Sequence, residues 1–323
     1  MRRRAFIVAF GSAAAWPFGT HAQTKTARVG LLHPQPSPAL VALRFAAVQE
    51  GLAAGSPSRR AIEIVSRVAD GTHERLRIYA EELAAARLDV IVAMSPLAIA
   101  TARDATQIIP IVGIDLETDP IAAGWAVSLA RPGGNVTGVF LDVSEFAAKC
   151  LQILTEAVTG LTHIGVLWDP ATGNYQRDAV QSTAATMGLS FGVRATPSIA
   201  EVEPAVRSLA AEGCGALLIL SSPVFGAFSA PVAKVTGEAR LPAIMLFPEF
   251  VQSGGLITYG PDLQELCHRA GIMARRIIEG ADVSELPIER PERFRLRLNL
   301  RTARALGIEL PVSLLAQADE VIE

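Results

Sequence analysis

Polar residues that could grip a small solute stand in this chain just past the ends of short apolar runs. Asp89-Val-Ile-Val-Ala93 and Ile109-Pro-Ile-Val-Gly113 are rich in β-branched side chains and read as central strands of a parallel sheet, buried on both faces. Ser95 follows the first run; Asp115, with Glu117, Thr118 and Asp119 beside it, follows the second. A helix starting near Leu97 would turn its positive end and backbone amides toward a carboxylate, while Asp115 could take an ammonium or a hydroxyl. Ser221 and Ser222 close the most apolar run, Ala216-Leu-Leu-Ile-Leu220, and could donate charge-assisted hydrogen bonds to the same solute. Trp168 and Phe247 directly follow strand signals, and with Phe225, Phe250 and Tyr259 they offer rings near loop ends for a planar or apolar group. Asn174 ends the loop Asp169-Pro-Ala-Thr-Gly-Asn174. Each residue also has a plainer use: caps and turns for the polar ones, core packing for the rings. The expected ligand set is Ser95, Asp115, Thr118, Trp168, Asn174, Ser221, Ser222, Phe225 and Phe247.

Catalytic chemistry finds less support. No Gly-x-Gly-x-x-Gly follows the first strand, where Gly30-Leu-Leu-His-Pro-Gln stands instead, and neither a Gly-x-Ser-x-Gly elbow nor a Walker motif occurs. His33, His73, His163 and His268 are scattered; His33 is read as a solvated loop residue, with a place in the cleft as the alternative. Cys150, Cys214 and Cys267 lack metal-ligand spacing and are expected to be buried as small hydrophobes. A net charge of −3, with no basic tract, argues against nucleic-acid binding. Neither a cofactor nor a metal is expected.

The elements that must position these residues alternate along the chain. Strand, helix, strand, helix, strand from Ala27 to Ala93 is a doubly wound pattern, and a second succession from His163 to Leu246 repeats the architecture without repeating the sequence. Between them, Ala130-Arg-Pro-Gly-Gly-Asn-Val-Thr-Gly138 punctuates the chain. In 323 residues this reads as two α/β lobes of doubly wound parallel sheet with a cleft between them. The expected lobes are 23–138 plus about 255–280, and 139–254 plus about 291–323, with the chain recrossing near Phe247 to Gly255 and near Gly280 to Pro291.

The first 22 residues read as an export signal: Arg2, Arg3 and Arg4 precede an apolar stretch and small residues around Thr20-His21-Ala22. Arg3-Arg4-Ala5-Phe6-Ile7 has the twin-arginine pattern, so a soluble periplasmic product is expected.

Several motifs, in order over the mature chain, resemble the type I periplasmic substrate-binding proteins of ABC transporters, specifically the TrpX-like group. They include Asp119-Pro120, Ser128-Leu-Ala-Arg-Pro-Gly-Gly-Asn-Val-Thr-Gly138, Leu241-Pro-Ala-Ile244, Gly254-Gly-Leu-Ile-Thr-Tyr-Gly260 and Asn299-Leu-Arg-Thr-Ala-Arg-Ala-Leu-Gly307. The resemblance implies the type I periplasmic binding protein fold and a receptor, not an enzyme, that delivers a small solute to an inner-membrane ABC permease. A monomer holding a carboxylate-bearing solute, such as an amino acid or an aromatic or branched acid, is the expectation. A ligand sensor without transport coupling and a Rossmann-like enzyme are the alternatives. The chain departs from the group's pattern at Ser95-Pro96, Thr118 and Asp169-Pro170, all at strand ends where solute identity would be set.

Overall fold

A computed structural model of the chain describes residues 26–34, 38–54, 60–69 and 71–323. The export signal read at 1–22 lies outside them, as does Asp70, which the sequence offers alongside Thr72 as a cap for the second helix. The chain begins with β1 (Ala27–His33), α1 (Pro38–Ala53), β2 (Ile62–Val68), α2 (His73–Ala85), β3 (Val90–Met94), α3 (Pro96–Ala105), β4 (Ile111–Asp115) and β5 (Val136–Phe140). It continues with α4 (Val143–Ala157), β6 (His163–Trp168), α5 (Tyr175–Thr186), β7 (Ser190–Ala195), α6 (Val202–Ala211), β8 (Ala216–Ile219), α7 (Pro223–Ala227), α8 (Ser229–Glu238) and β9 (Ala243–Met245). The last elements are α9 (Glu249–Gln252), β10 (Ile257–Pro261), α10 (Leu263–Ile278), β11 (Phe294–Asn299), α11 (Leu300–Leu306), α12 (Val312–Gln317) and β12 (Glu320–Ile322).

Two sheets result. The first runs β2-β1-β3-β4-β5, all parallel. Its β3, β4 and β5 are buried along their whole length, as continuous apolar runs require. The second runs β12-β11-β10-β9-β8-β6-β7 and is parallel except where β11 meets β10. Both sheets reverse their strand order once, between β1 and β3 in the first and between β6 and β8 in the second.

The chain passes between lobes three times, and the middle passage differs from expectation. β10 pairs with β9 on one side and β11 on the other, so residues 257–261 belong to the second sheet and the passage comes after Pro261, not at Phe247 to Gly255. The run 254–260 carries the same apolar signal in either sheet, and only the strand partners decide its lobe. Helix α10, by contrast, does return to the first lobe. There it crosses α1 with backbones nearly touching: a Cβ on Gly51 would lie 2.0 Å from the His268 carbonyl oxygen, and one on Gly271 would lie 2.2 Å from that of Val48. The return segment then runs along β5, with Glu289 N donating to Gly138 O and Phe140 N to Glu289 O, both at 2.9 Å, so this edge of the sheet is covered.

Two helices start directly at passages, each on an aspartate cap. Asp142 Oδ1 accepts from Glu145 N at 3.1 Å, and Asp262 Oδ1 accepts from Gln264 N at 3.0 Å and Glu265 N at 3.2 Å. Arg290, on the third passage, donates from Nη1 to the carbonyls of Phe140 (3.1 Å) and Leu141 (2.6 Å) on the first. The first and third passages therefore lie side by side and are tied together.

Candidate functional site

Both strand-order reversals face one cavity. In open α/β sheets a reversal leaves a crevice beyond the strand ends, because the flanking crossovers leave toward opposite faces. Pro34 and Ser95 stand past β1 and β3, while Asp169 and Pro223 stand past β6 and β8. These four, with Gly71, Pro96, Leu97, Ala171, Thr172, Val224, Ala227 and Phe228, line a cavity of about 210 Å³ between the lobes. Behind it a recess of about 50 Å³ shares Pro34, Ser95 and Pro223 and reaches His33, Arg44, Glu117, Phe247 and Cys267.

Ser95 holds the first lobe's side of the cavity in a strained conformation. Its φ is 102°, a value a residue with a side chain rarely adopts, and its Oγ accepts from Ala98 N at 3.3 Å to cap α3. Pro96 takes the first helical position, where its missing N–H costs nothing. The cavity wall at this point is thus the positive end of a ten-residue helix.

Asp115 is fully buried at the end of β4. Its Oδ1 accepts from Glu117 N (2.8 Å) and Thr118 N (3.2 Å), whereas Oδ2 meets no hydrogen-bond partner among the described residues. Burial and then the adjacent Glu117 carboxylate push the Asp115 carboxyl well above its usual range. Burial raises Glu117 too, opposed by hydrogen bonds from its neighbours and by the charge of Arg44. Glu117 also reaches across the cleft: Ser221 Oγ donates to Glu117 Oε1 at 2.6 Å, joining the two lobes. Ser221 is itself fixed from behind, since Gln176 Nε2 donates to its carbonyl and its N–H donates to Gln176 Oε1, both at 2.8 Å.

The remaining expected residues divide. Ser222 Oγ donates to Asp169 Oδ2 at 2.6 Å and accepts from Val224 N at 3.0 Å, so it links two cavity-lining loops. Phe247 lines the recess. Thr118 is buried behind Asp115, and Phe225 is wholly buried in the apolar cluster that runs from the first lobe into the second. Trp168 points elsewhere: its Nε1 donates to Gly173 O at 2.8 Å, the Arg177 guanidinium lies 4.7 Å from its ring centre, and it lines neither the cavity nor the recess. Asn174 begins α5 without a side-chain cap bond and lines neither.

Leu97, Val224 and Phe228 escaped the sequence reading, and Asp169 stood in it only as a departure from the group's pattern, outside the expected ligand set. Leu97 lies in the first turn of α3, Val224 in α7 and Phe228 just past α7, and strand order is invisible in one chain's sequence. Phe228, exposed over 39% of its surface, offers the cavity a ring. His33 is 1% exposed, not solvated; Arg44 lies 3.0 Å from its Nε2, and burial followed by that charge lowers its pKa to about 3. The three cysteines are free thiols and buried; burial pushes Cys267 up to about 12.

Two α/β lobes, reversal facing reversal across a closed cleft, define a type I periplasmic binding protein fold. The family described as ABC transporter substrate binding protein matches residues 29–322, and this chain belongs to it. A tyrosine-binding protein of Clostridioides difficile is 28% identical over 231 residues, 68% of this chain and 64% of the relative, so the match spans a little under two thirds of that protein's length. Among solved structures, a Streptococcus pneumoniae ABC domain in complex with L-Trp superposes with a TM-score of 0.84 at 24% identity, covering 92% of this chain and all of that one. The ligand-free, open structure of a Clostridium difficile substrate binding protein with adhesive properties gives 0.66 at 25% identity, over 92% of this chain and 99% of that one. No helix among the described residues is long and apolar enough to cross a membrane.

Proposed function

We propose that this protein is the periplasmic receptor of an ABC importer and that it binds a small amino acid, with an aromatic or branched side chain, between its lobes. The observation that carries the reading is the cavity that meets both strand-order reversals. At about 210 Å³ it falls below the roughly 300–1,000 Å³ of drug-sized sites, which favours a small solute. The positive end of α3 at Ser95 suits a carboxylate. Asp169 supplies an acceptor for an ammonium, and Leu97, Val224, Ala227 and Phe228 supply an apolar surround. The tyrosine- and tryptophan-binding relatives point the same way. Binding is the whole task in this reading, with no chemical step; the loaded, closed monomer docks on an inner-membrane permease. Residues 1–22 take it to the periplasm by the twin-arginine route, so Arg3→Lys together with Arg4→Lys should leave precursor in the cytoplasm.

The test is a thermal-shift screen of ligand-stripped mature protein against amino acids, aromatic acids, branched acids and sugars, followed by calorimetry. A ligand at about 100 times its Kd stabilises the native state by about 2.7 kcal/mol, so a true solute raises Tm clearly. Stabilisation by tyrosine, tryptophan or a branched amino acid supports the proposal. A response to neutral sugars alone rejects it.

A further inference from the structure

The lobes meet through a chain of three buried polar groups. Ser221 Oγ donates to Glu117 Oε1, and the backbone amide of Glu117 is held by Asp115 Oδ1. The serine is buried with its N–H and C=O both taken by Gln176, so its hydroxyl is presented to Glu117 by a rigid frame. Asp115 and Glu117 are 0% and 4% exposed, and Oδ2 of Asp115 has no donor facing it among the described residues. Two adjacent carboxylates sealed away from water repel, and a proton on one of them removes both the repulsion and the unmet acceptor.

We propose that Asp115 and Glu117 hold one shared proton when the lobes are closed, so that Ser221 latches onto a proton-loaded acid pair and closure is coupled to proton uptake. Opening separates Ser221 from Glu117 and lets water reach the pair, whose carboxyls then ionise in their ordinary range. Other charged groups face the pair from neighbouring elements. Arg44 on α1 favours an ionised Glu117, which places the proton on Asp115, and His33 on β1 stays neutral at its depressed pKa. Cys267 on α10 remains a thiol. Asp169, across the cleft, accepts from Ser222 Oγ and Ala171 N. The sign follows from the raised carboxyl: closure is favoured at low pH and is lost as pH rises through the closed-state titration. A one-proton linkage changes the open-to-closed ratio by up to about tenfold per pH unit within that window.

This inference rests on the hinged two-lobe reading but not on the identity of the solute, so its test uses no ligand. Carboxyl carbon NMR and small-angle scattering of the ligand-free mature protein are followed from about pH 4 to pH 9, a span covering ordinary carboxylate and imidazole titrations. One carboxyl should titrate above the ordinary Asp and Glu range, and the radius of gyration should rise over the same interval. In Asp115→Asn the amide replaces the proton-bearing oxygen; both the late titration and the pH-dependent expansion should vanish. Glu117→Gln, with an amide that can face both neighbours, should behave alike and serves if the first variant does not fold. A wild-type protein whose carboxyls all titrate in the ordinary range overturns the proposal. So does a radius that ignores pH, or expansion that persists in the folded variants.

Discussion

At Ser95, two effects of comparable size oppose each other, and substitution separates them. The side chain caps α3, worth about 1 kcal/mol against alanine, but its φ of 102° strains any residue except glycine. Ser95→Ala should therefore lower stability by about 0.5–2 kcal/mol, while Ser95→Gly, which gives up only a few tenths of capping and sheds the strain, should match or exceed wild type. Urea midpoints on the two variants check the order. Trp168→Ala should leave affinity for the solute nearly unchanged, because the indole is engaged by Gly173 and Arg177 away from the cavity; calorimetry would show a large loss if the ring reached the ligand. His33 governs acid behaviour. With a folded pKa near 3 against 6.5 unfolded, only the unfolded chain takes up this proton between those values. Its contribution is thus complete above about pH 6.5 and falls away as pH drops toward 3. Urea midpoints across that interval should fall less steeply for His33→Gln than for wild type.

At the scale of elements, the contact that keeps α10 in the first lobe is the glycine crossing with α1. Gly51 and Gly271 let two backbones approach where a methyl group would sit within 2.2 Å of a carbonyl oxygen. Gly271→Ala must push the helices apart and should cost about 1–3 kcal/mol or more, although alanine is intrinsically the better helix former. A lowered urea midpoint checks this, and an unchanged one would mean that the helices part freely. The aspartate caps at 142 and 262 matter for the same geometry: they let α4 and α10 begin within a residue or two of each passage, leaving short connections to bend. Near the passages the rings of Phe146, Tyr259 and Phe294 stack, with centroids 5.3 to 6.2 Å apart, on three separate elements of the second lobe. That stack gives the hinge a rigid footing on one side.

For the molecule as a whole, the lobes stand closed, with Ser221 bonded to Glu117 and one apolar cluster continuous across them. Arg290 ties the third passage to the first, which suits a hinge rotation about the passages. A solute touching both lobes gains affinity only in the closed form and so shifts the balance toward it. Small-angle scattering should accordingly show the ligand-free protein contract on saturation with whichever solute raises its Tm; unchanged dimensions would remove the hinge from the mechanism.

The sequence by itself determined the elements and the architecture they build. Runs such as Val90–Met94 and Ile111–Asp115 are apolar on both faces and have no stable place outside a covered parallel sheet, and the capping residues mark where the helices begin. Ser95 and Phe247, which line the cavity and the recess, and Ser222, bonded to Asp169, stand just beyond strands, a position that local pattern alone sets. Tertiary structure decided the rest. Strand order, which locates the cleft, depends on pairing between segments far apart, and it assigned β10 to the second sheet and brought Phe228 and Asp169 to the cavity. It also drew Trp168 aside, since a ring at a strand end turns toward whichever partner packs there, here Arg177 from the next helix. The bond between Ser221 and Glu117 spans 104 residues; each is an ordinary loop residue until closure removes the water between them.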